Sequence, residues 1–358
     1  MQFSRLFGLI LLVAVSLTGY GADAEQQNLS GQGSQALAAG DYVGAVTSFS
    51  QAIAADKRAV DAYVGIARAY WHQGLAAEGD QAVKKGLRYA RRISRVLELH
   101  ALGIRLGSLL DDPKGIRKAR GYYNRGRQVK YSDTHAELHL AMALAWIKAQ
   151  RLDRAEPLLQ KALALDSDWS EDADRAYRRL QMIERASAGS ANDVKLAYQA
   201  SVSRAEITSL LINQIQLAEI LERDVGTVSQ GETSDQQLTD YHDHPNRDDI
   251  LTVHRLGLRS LKIRNGRFAP DKPVTRLDLA LIIEDILFLK DGISRTQFIG
   301  NPSPFSDLKT SNTGFNAVMT AVTRGLIEGR DDGQIQPAAQ VSGAETVLVL
   351  RRFKKMLK

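Results

Sequence analysis

No cysteine occurs among the 358 residues. That absence excludes disulfides, thiolate metal ligands, a cysteine nucleophile and a disulfide-stapled scaffold, so stability has to come from packing. Aromatics make up only 6% of the chain, whereas Ala, Leu, Arg and Gln abound. Helices drawn together by small and aliphatic side chains are therefore expected, giving a mostly α fold. Long apolar runs are scarce. Leu6 to Leu17 is 12 residues long, against the roughly 20 that span a bilayer. With Arg5 before it and Ala22-Asp23-Ala24 after it, the run reads as a signal peptide over residues 1–24, cleaved ahead of Glu25. Tyr20 stands where a lipoprotein would need cysteine. The expectation is an exported chain, in the periplasm or elsewhere in the cell envelope, without a transmembrane anchor. Catalytic signatures are missing too: there is no P-loop, nucleophile elbow or paired-carboxylate framework. His135, Glu137 and His139 do not follow the zinc-protease order and lack a third ligand. His242-Asp243-His244 reads as loop. No enzyme, cofactor or metal site is expected.

What is present reads as globular: 44% hydrophobic and 25% charged residues in a length suited to two domains. Charge is unevenly spread. Lys84 to Lys130 holds 14 basic and three acidic residues, a net +11 that leaves the rest near −5 for a formal total of +6. Arg117, Lys118, Arg120, Arg125 and Arg127 form the densest part, a candidate surface for an anionic partner or, equally, a solvated helical face. In an exported chain, the partner would be a polysaccharide, lipid head groups or an acidic protein, not nucleic acid.

Residues 25–188 carry a repeat. Ala36, Gly40, Tyr42, Ala45, Phe49 and Ala52 set the pattern, and Tyr63, Ile66, Ala67, Tyr70 and Gly74 take it up 34 residues on. Ala119, Tyr123 and Gly126 fit a third unit, and Leu152, Ala155, Leu159 and Ala162 a fourth. The pattern resembles the tetratricopeptide repeat, with about four helix pairs over residues 26–168 and a capping helix over 170–188. Lys57 and Ser167 replace the usual closing proline, and Gly79 and Gly86 should weaken one helix. The resemblance implies a concave groove that holds another exported protein.

A small-residue linker, residues 186–191, precedes a second pattern over 189–358. Val202-Ser203-Arg204-Ala205-Glu206, Val274-Thr275-Arg276-Leu277-Asp278 and Val341-Ser342-Gly343-Ala344-Glu345 each begin a helix with a capping box or its Asp variant. Gly/Pro-rich turns precede the second and third of them. Together with Phe305-Ser306-Asp307, Tyr241-His242-Asp243 and the Gly325 to Gly329 turn, these motifs resemble S-layer homology repeats: a partial one at 192–225, then 239–290 and 304–356. That resemblance implies a pseudo-threefold helical prong binding cell-wall polysaccharide or peptidoglycan, with Arg204, Arg276, Asp243, Asp307, Gly329 and Arg330 as its glycan-contacting residues. Arginine in a first helical turn opposes the macrodipole. Either Arg204 and Arg276 join free backbone N–H groups in an anion site, or they pair with the acid two positions on or with Asp243 or Asp307. Gly343 should leave the third site weak or empty.

The chain thus reads as an α-solenoid followed by a helical wall-binding domain, a non-catalytic envelope adaptor. Two alternatives remain. One is a periplasmic scaffold whose wall-binding repeats have become protein interfaces. The other handles polysaccharide or lipopolysaccharide through the basic patch.

Overall fold

The computed structural model describes residues 25–225, 240–330 and 332–357. The expected signal peptide lies outside these residues. Among them no strand forms, only isolated bridges, and the chain divides into two compact units, Met1–Gln181 and Met182–Lys358.

The first unit stacks helix pairs: α1 (25–38) with α2 (Tyr42–Ala55), α3 (Val60–His72) with α4 (Ala76–Tyr89), α5 (Ile93–Ser108) with α6 (Lys114–Gly126), and α7 (Ala136–Lys148) with α8 (Leu152–Leu163). Helix α9 (Ser170–Ser187) follows. Between α1 and α2 and again between α3 and α4 the chain reverses through a left-handed residue, Gly40 at φ 78° and Gly74 at φ 75°, where glycine carries no Cβ penalty. In the fourth pair Gln150 takes the same turn at φ 56°.

Close packing depends on small residues facing rings. The Phe49 ring covers Gly33 and Gly65, where a Cβ would come within 2.8 and 2.2 Å of it. Gly79 and Gly86 lie inside an unbroken α4. They face Leu106 and Leu99, so their missing side chains let α4 lie close against α5. The buried residues form one continuous apolar core from Ala45 to Ala145, the stacked burial that an isolated helix pair cannot achieve.

The second unit opens with α10 (Ala191–Ala197), α11 (Arg204–Ser209), a π-helical turn (Leu210–Gln214) and α12 (Leu217–Val225). Gln216 at φ 63° marks the break between the π-helical turn and α12. Then come α13 (Arg247–Leu256), α14 (Arg276–Asp291), α15 (Phe315–Thr323) and α16 (Gly343–Leu357).

Candidate functional site

In the second unit, the three motif starts meet in a closed ring of backbone hydrogen bonds. Val202 N–H donates to Val341 O (3.1 Å), Val341 N–H to Val274 O (2.9 Å) and Val274 N–H to Val202 O (2.8 Å). Each valine is at most 1% exposed. One residue past the cap, the seam repeats: Arg204 N–H donates to Lys272 O, Arg276 N–H to Ala339 O and Gly343 N–H to Gln199 O. Three equivalent segments each complete the next, so the threefold arrangement closes within one chain.

This geometry corrects the anion-site expectation for Arg204 and Arg276. The N–H groups of the first helical turn are occupied: those of Arg204 and Ala205 by carbonyls of Lys272 and Pro270, that of Glu206 by the Ser203 side chain. In α14, Arg276 and Leu277 donate to Ala339 and Pro337, and Asp278 N–H to Thr275 Oγ1. Both guanidinium groups turn to their own protein. Arg204 donates to the carbonyls of Ser260, Lys262 and Phe268, and lies 4.6 Å from the Phe268 ring centroid. Arg276, only 3% exposed, pairs with Glu345 and donates to Glu328 O. Ser260 and Glu328 hold the same place, three residues after Gly257 and Gly325 in the two turns, so the two arginines perform one repeated task. Arg276 pairs with Glu345 instead of Asp278, Asp243 or Asp307, and Arg204 is held by carbonyls.

The acidic residues also divide. Asp307 accepts from the backbone N–H of Ile335 (2.9 Å) and Gln336 (2.7 Å). Asp240 accepts from Phe268 and Ala269, both at 2.8 Å. Asp240 is therefore the counterpart of Asp307. Asp243 is corrected on this point: its side chain is 99% exposed, with only His242 3.9 Å away. Gly329 lies against the Phe305 ring, 2.6 Å from where a Cβ would stand. Arg330 closes a turn with Gln334, and its buried Nε has no hydrogen-bond partner. At Gly343 a Cβ would meet Leu196 O at 1.7 Å. Backbone fills the space in which the other two positions carry an arginine.

In the first unit, Arg117, Arg120 and Arg125 are exposed on α6 and Arg127 is exposed just past its end, and Arg120, Arg125 and Arg127 lie over the rings of Trp146, Tyr122 and Tyr123. Lys118 instead pairs with Asp80 at 3.1 Å. Asp80 is held below the usual carboxylate range by Lys84, Tyr122 and Lys118, against the opposing effect of burial. The His135-Glu137-His139 run is dispersed. The His139 Nδ1 meets the Tyr123 hydroxyl at 3.1 Å, while Glu137 faces Arg105. Sequence reasoning missed a cavity of about 440 Å³ between α3, α5, α7 and α9, whose wall includes Arg68, Trp71, Arg105, Glu137, Trp169 and Arg179. Trp71 and Arg105 stand 34 residues apart, one repeat length, which was the available signal.

A stretch of each unit matches a known family. Residues 304–347 match the S-layer homology domain, and residues 36–102 a tetratricopeptide repeat. The chain is 30% identical over 105 residues to cell surface glycoprotein 1 of Acetivibrio thermocellus, a stretch of 29% of this chain and 4% of that protein, so it spans a small fraction of that relative. A thermophilic TPR protein of Thermus thermophilus aligns over 48% of this chain and 96% of its own, at 22% identity and a TM-score of 0.38. An S-layer homology domain implies cell-wall binding and tetratricopeptide repeats imply protein contacts; both are typically non-catalytic.

Proposed function

We propose that the protein is a non-catalytic adaptor of the cell envelope. Its C-terminal unit binds cell-wall polysaccharide or peptidoglycan, and its repeat groove holds a segment of another exported protein. The closed threefold ring, in a unit whose third repeat matches the S-layer homology domain, carries this reading. The similarity to a cell surface glycoprotein supports an envelope location. Among the residues implied in glycan contact, Arg276 and Arg330 each keep a buried Nε–H with no hydrogen-bond partner; the rest of the Arg276 guanidinium is engaged by Glu345 and Glu328, so Arg330 is the one proposed to meet an acidic glycan. The exposed arginines of α6 add an electrostatic contact for an anionic surface.

The internal use of Arg204 and Arg276 favours a second reading, a periplasmic scaffold in which these repeats bind protein instead of glycan. Co-sedimentation of residues 25–358 with purified sacculi, before and after removal of attached polymer, separates the two. Pelleting that Arg330→Ala weakens without loss of helical circular dichroism supports the wall anchor. A folded chain that stays in the supernatant supports the scaffold.

A further inference from the structure

A basic pair recurs at one repeat length: Lys57-Arg58 follows α2, and Arg91-Arg92 follows α4, 34 residues on. Each pair lies in the turn that delivers the chain to the next helix, α3 or α5. A cavity of about 300 Å³ lies at these two turns, with Arg58, Tyr89, Arg91, Arg92 and Arg95 in its wall. It sits at the edge of the stack, where helices begin and end, and shares no lining residue with the cavity that contains Trp71 and Trp169.

Only one of these arginines is matched by acids: Arg95 meets Asp61 at 2.6 Å and Glu98 at 2.5 Å. Arg58 and Arg92 are exposed, and their side chains make no ion pair or hydrogen bond among the described residues. Arg91 uses Nη1 alone, 3.3 Å from both Arg88 O and Ala90 O, a contact with the end of α4 that leaves its other nitrogens unused. Asp56, the other acid of the wall, accepts from the Arg58 backbone N–H at 2.8 Å. Three arginines thus stand against one carboxylate, a surplus of two positive charges. Helices α3 and α5 also begin in this wall without a side-chain cap, so the positive ends of their dipoles add to the arginines. A bound dianion relieves the repulsion among them.

We propose that this cavity holds a phosphate group, gripped by Arg58 from one turn and by Arg91 and Arg92 from the next. Charge selects the class. A phosphate monoester carries about −1.5 to −2 at pH 7 and matches the surplus, whereas a carboxylate would neutralise only half of it. Guanidinium forks also suit phosphate oxygens, which they bind in pairs. Tyr89, half-buried and stacked on Tyr63 with centroids 6.0 Å apart, presents a ring beside them for the carbon skeleton of an ester. A ligand held in this way ties two successive repeats together. The site goes beyond the adaptor reading and stands whether or not the groove holds protein. Its phosphate belongs to a soluble ester, to a lipid head group or to the free ion.

Equilibrium dialysis of residues 25–358 against radiolabelled inorganic phosphate tests this, at about 0.15 M salt so that diffuse surface attraction is screened. Saturable binding is expected. Arg58→Gln and Arg92→Gln break no internal contact, so helical circular dichroism should be unchanged. Each should weaken binding by about tenfold or more through the loss of charge-assisted hydrogen bonds. Arg117→Gln, the same change of charge on α6, should leave binding unaltered. Competition assigns the source: glycerol 3-phosphate displaces the label if a soluble ester is the ligand. Vesicles containing phosphatidic acid, but not vesicles of phosphatidylcholine alone, displace it if a lipid head group is. Displacement by neither leaves the free ion. Absence of saturable binding overturns the site. Acetate that competes as well as unlabelled phosphate overturns the choice of phosphate. Equal weakening by Arg117→Gln, or none by Arg58→Gln and Arg92→Gln, overturns the assignment to these arginines.

Discussion

Gly343 stands where the repeat pattern calls for arginine, and sequence alone leaves two accounts of it: a binding residue has been lost, or no side chain fits. The structure favours the second. A Cβ there would lie 1.7 Å from Leu196 O and 2.7 Å from the carbonyl carbon, and both atoms are backbone. Gly343→Ala must therefore push α16 away from α10. Overpacking of this kind costs about 1–3 kcal/mol, and weakening the Gly343 N–H bond to Gln199 O adds about 0.5–1.5 kcal/mol. Helix propensity works the other way, favouring Ala by up to about 1 kcal/mol. The net is about 2 kcal/mol of destabilisation, and Gly343→Arg, the consensus residue, should do worse. Hydrogen exchange followed by mass spectrometry reads this on the ring amides of Val202, Val274 and Val341. A loss of about 2 kcal/mol corresponds to roughly thirtyfold faster exchange when local opening governs it. If Gly343→Arg protects these amides as well as the natural residue does, the steric argument is wrong and Gly343 is a degenerated site.

Arg276 and Glu345 form a pair with side chains 3% and 12% exposed. Arg276→Ala should destabilise by about 3–5 kcal/mol because it strands a buried carboxylate, whereas Arg276→Met with Glu345→Met should recover most of that in urea denaturation; equal losses in single and double variants would contradict the pairing. His100 and His139 are each lowered to about 4, burial being the larger cause and the neighbouring Arg125 and Lys161 the lesser. The unfolded chain then binds protons from pH 6.5 downward that the folded chain refuses until about pH 4, so stability falls as pH falls through that window, by at most about 1.4 kcal/mol per pH unit per histidine. All three tryptophans, Trp71, Trp146 and Trp169, lie in the repeat unit, and urea midpoints followed by their fluorescence should drop between pH 7 and 5, less steeply for His100→Phe; identical slopes would rule His100 out. The lowered Asp80 acts in the same direction only below its ordinary value of 3.8, outside this window.

The repeat unit was readable because its signals are local. Gly40 and Gly74 mark turns that need a left-handed residue, and the small residues of each helix recur at a fixed spacing. The fourth turn could not be read from glycine, since Gln150 adopts the conformation itself. Long-range partners were the illegible part. Asp243 fits the template because Tyr241 stands two places earlier, whereas Asp240 carries no such mark in the sequence. What distinguishes them is a pair of backbone N–H groups 28 residues downstream. The spacing from Asp307 to Ile335 equals that from Asp240 to Phe268, and applying it would have found the right residue. The first-turn arginines misled for a related reason. A guanidinium beside a helix N-terminus suggests an anion site, unless carbonyls from another segment arrive first. Here the next repeat brings them.

The departures from the repeat pattern in the second unit share a location. The first repeat lacks its opening segment, the third lacks its arginine, and both losses fall at the seam between them. At the other two seams, turns at Pro270–Lys272 and Pro337–Ala339 supply the carbonyls that receive the next helix. At this seam the chain from α10 does so, with Gln199 O as acceptor. A capping box of Ser190 and Asp193 starts α10, and Asp193 is also tied to Arg351 of α16 at 3.1 Å and to Gln214 at 2.9 Å. This helix approaches so closely that position 343 must be glycine. The missing arginine is thus a consequence of how the ring closes, and so it cannot be counted separately as evidence that glycan binding has decayed. That evidence has to come from the two seams where arginine remains and from Arg330, which is why the wall-binding test turns on Arg330 and not on the arginines that hold the ring together.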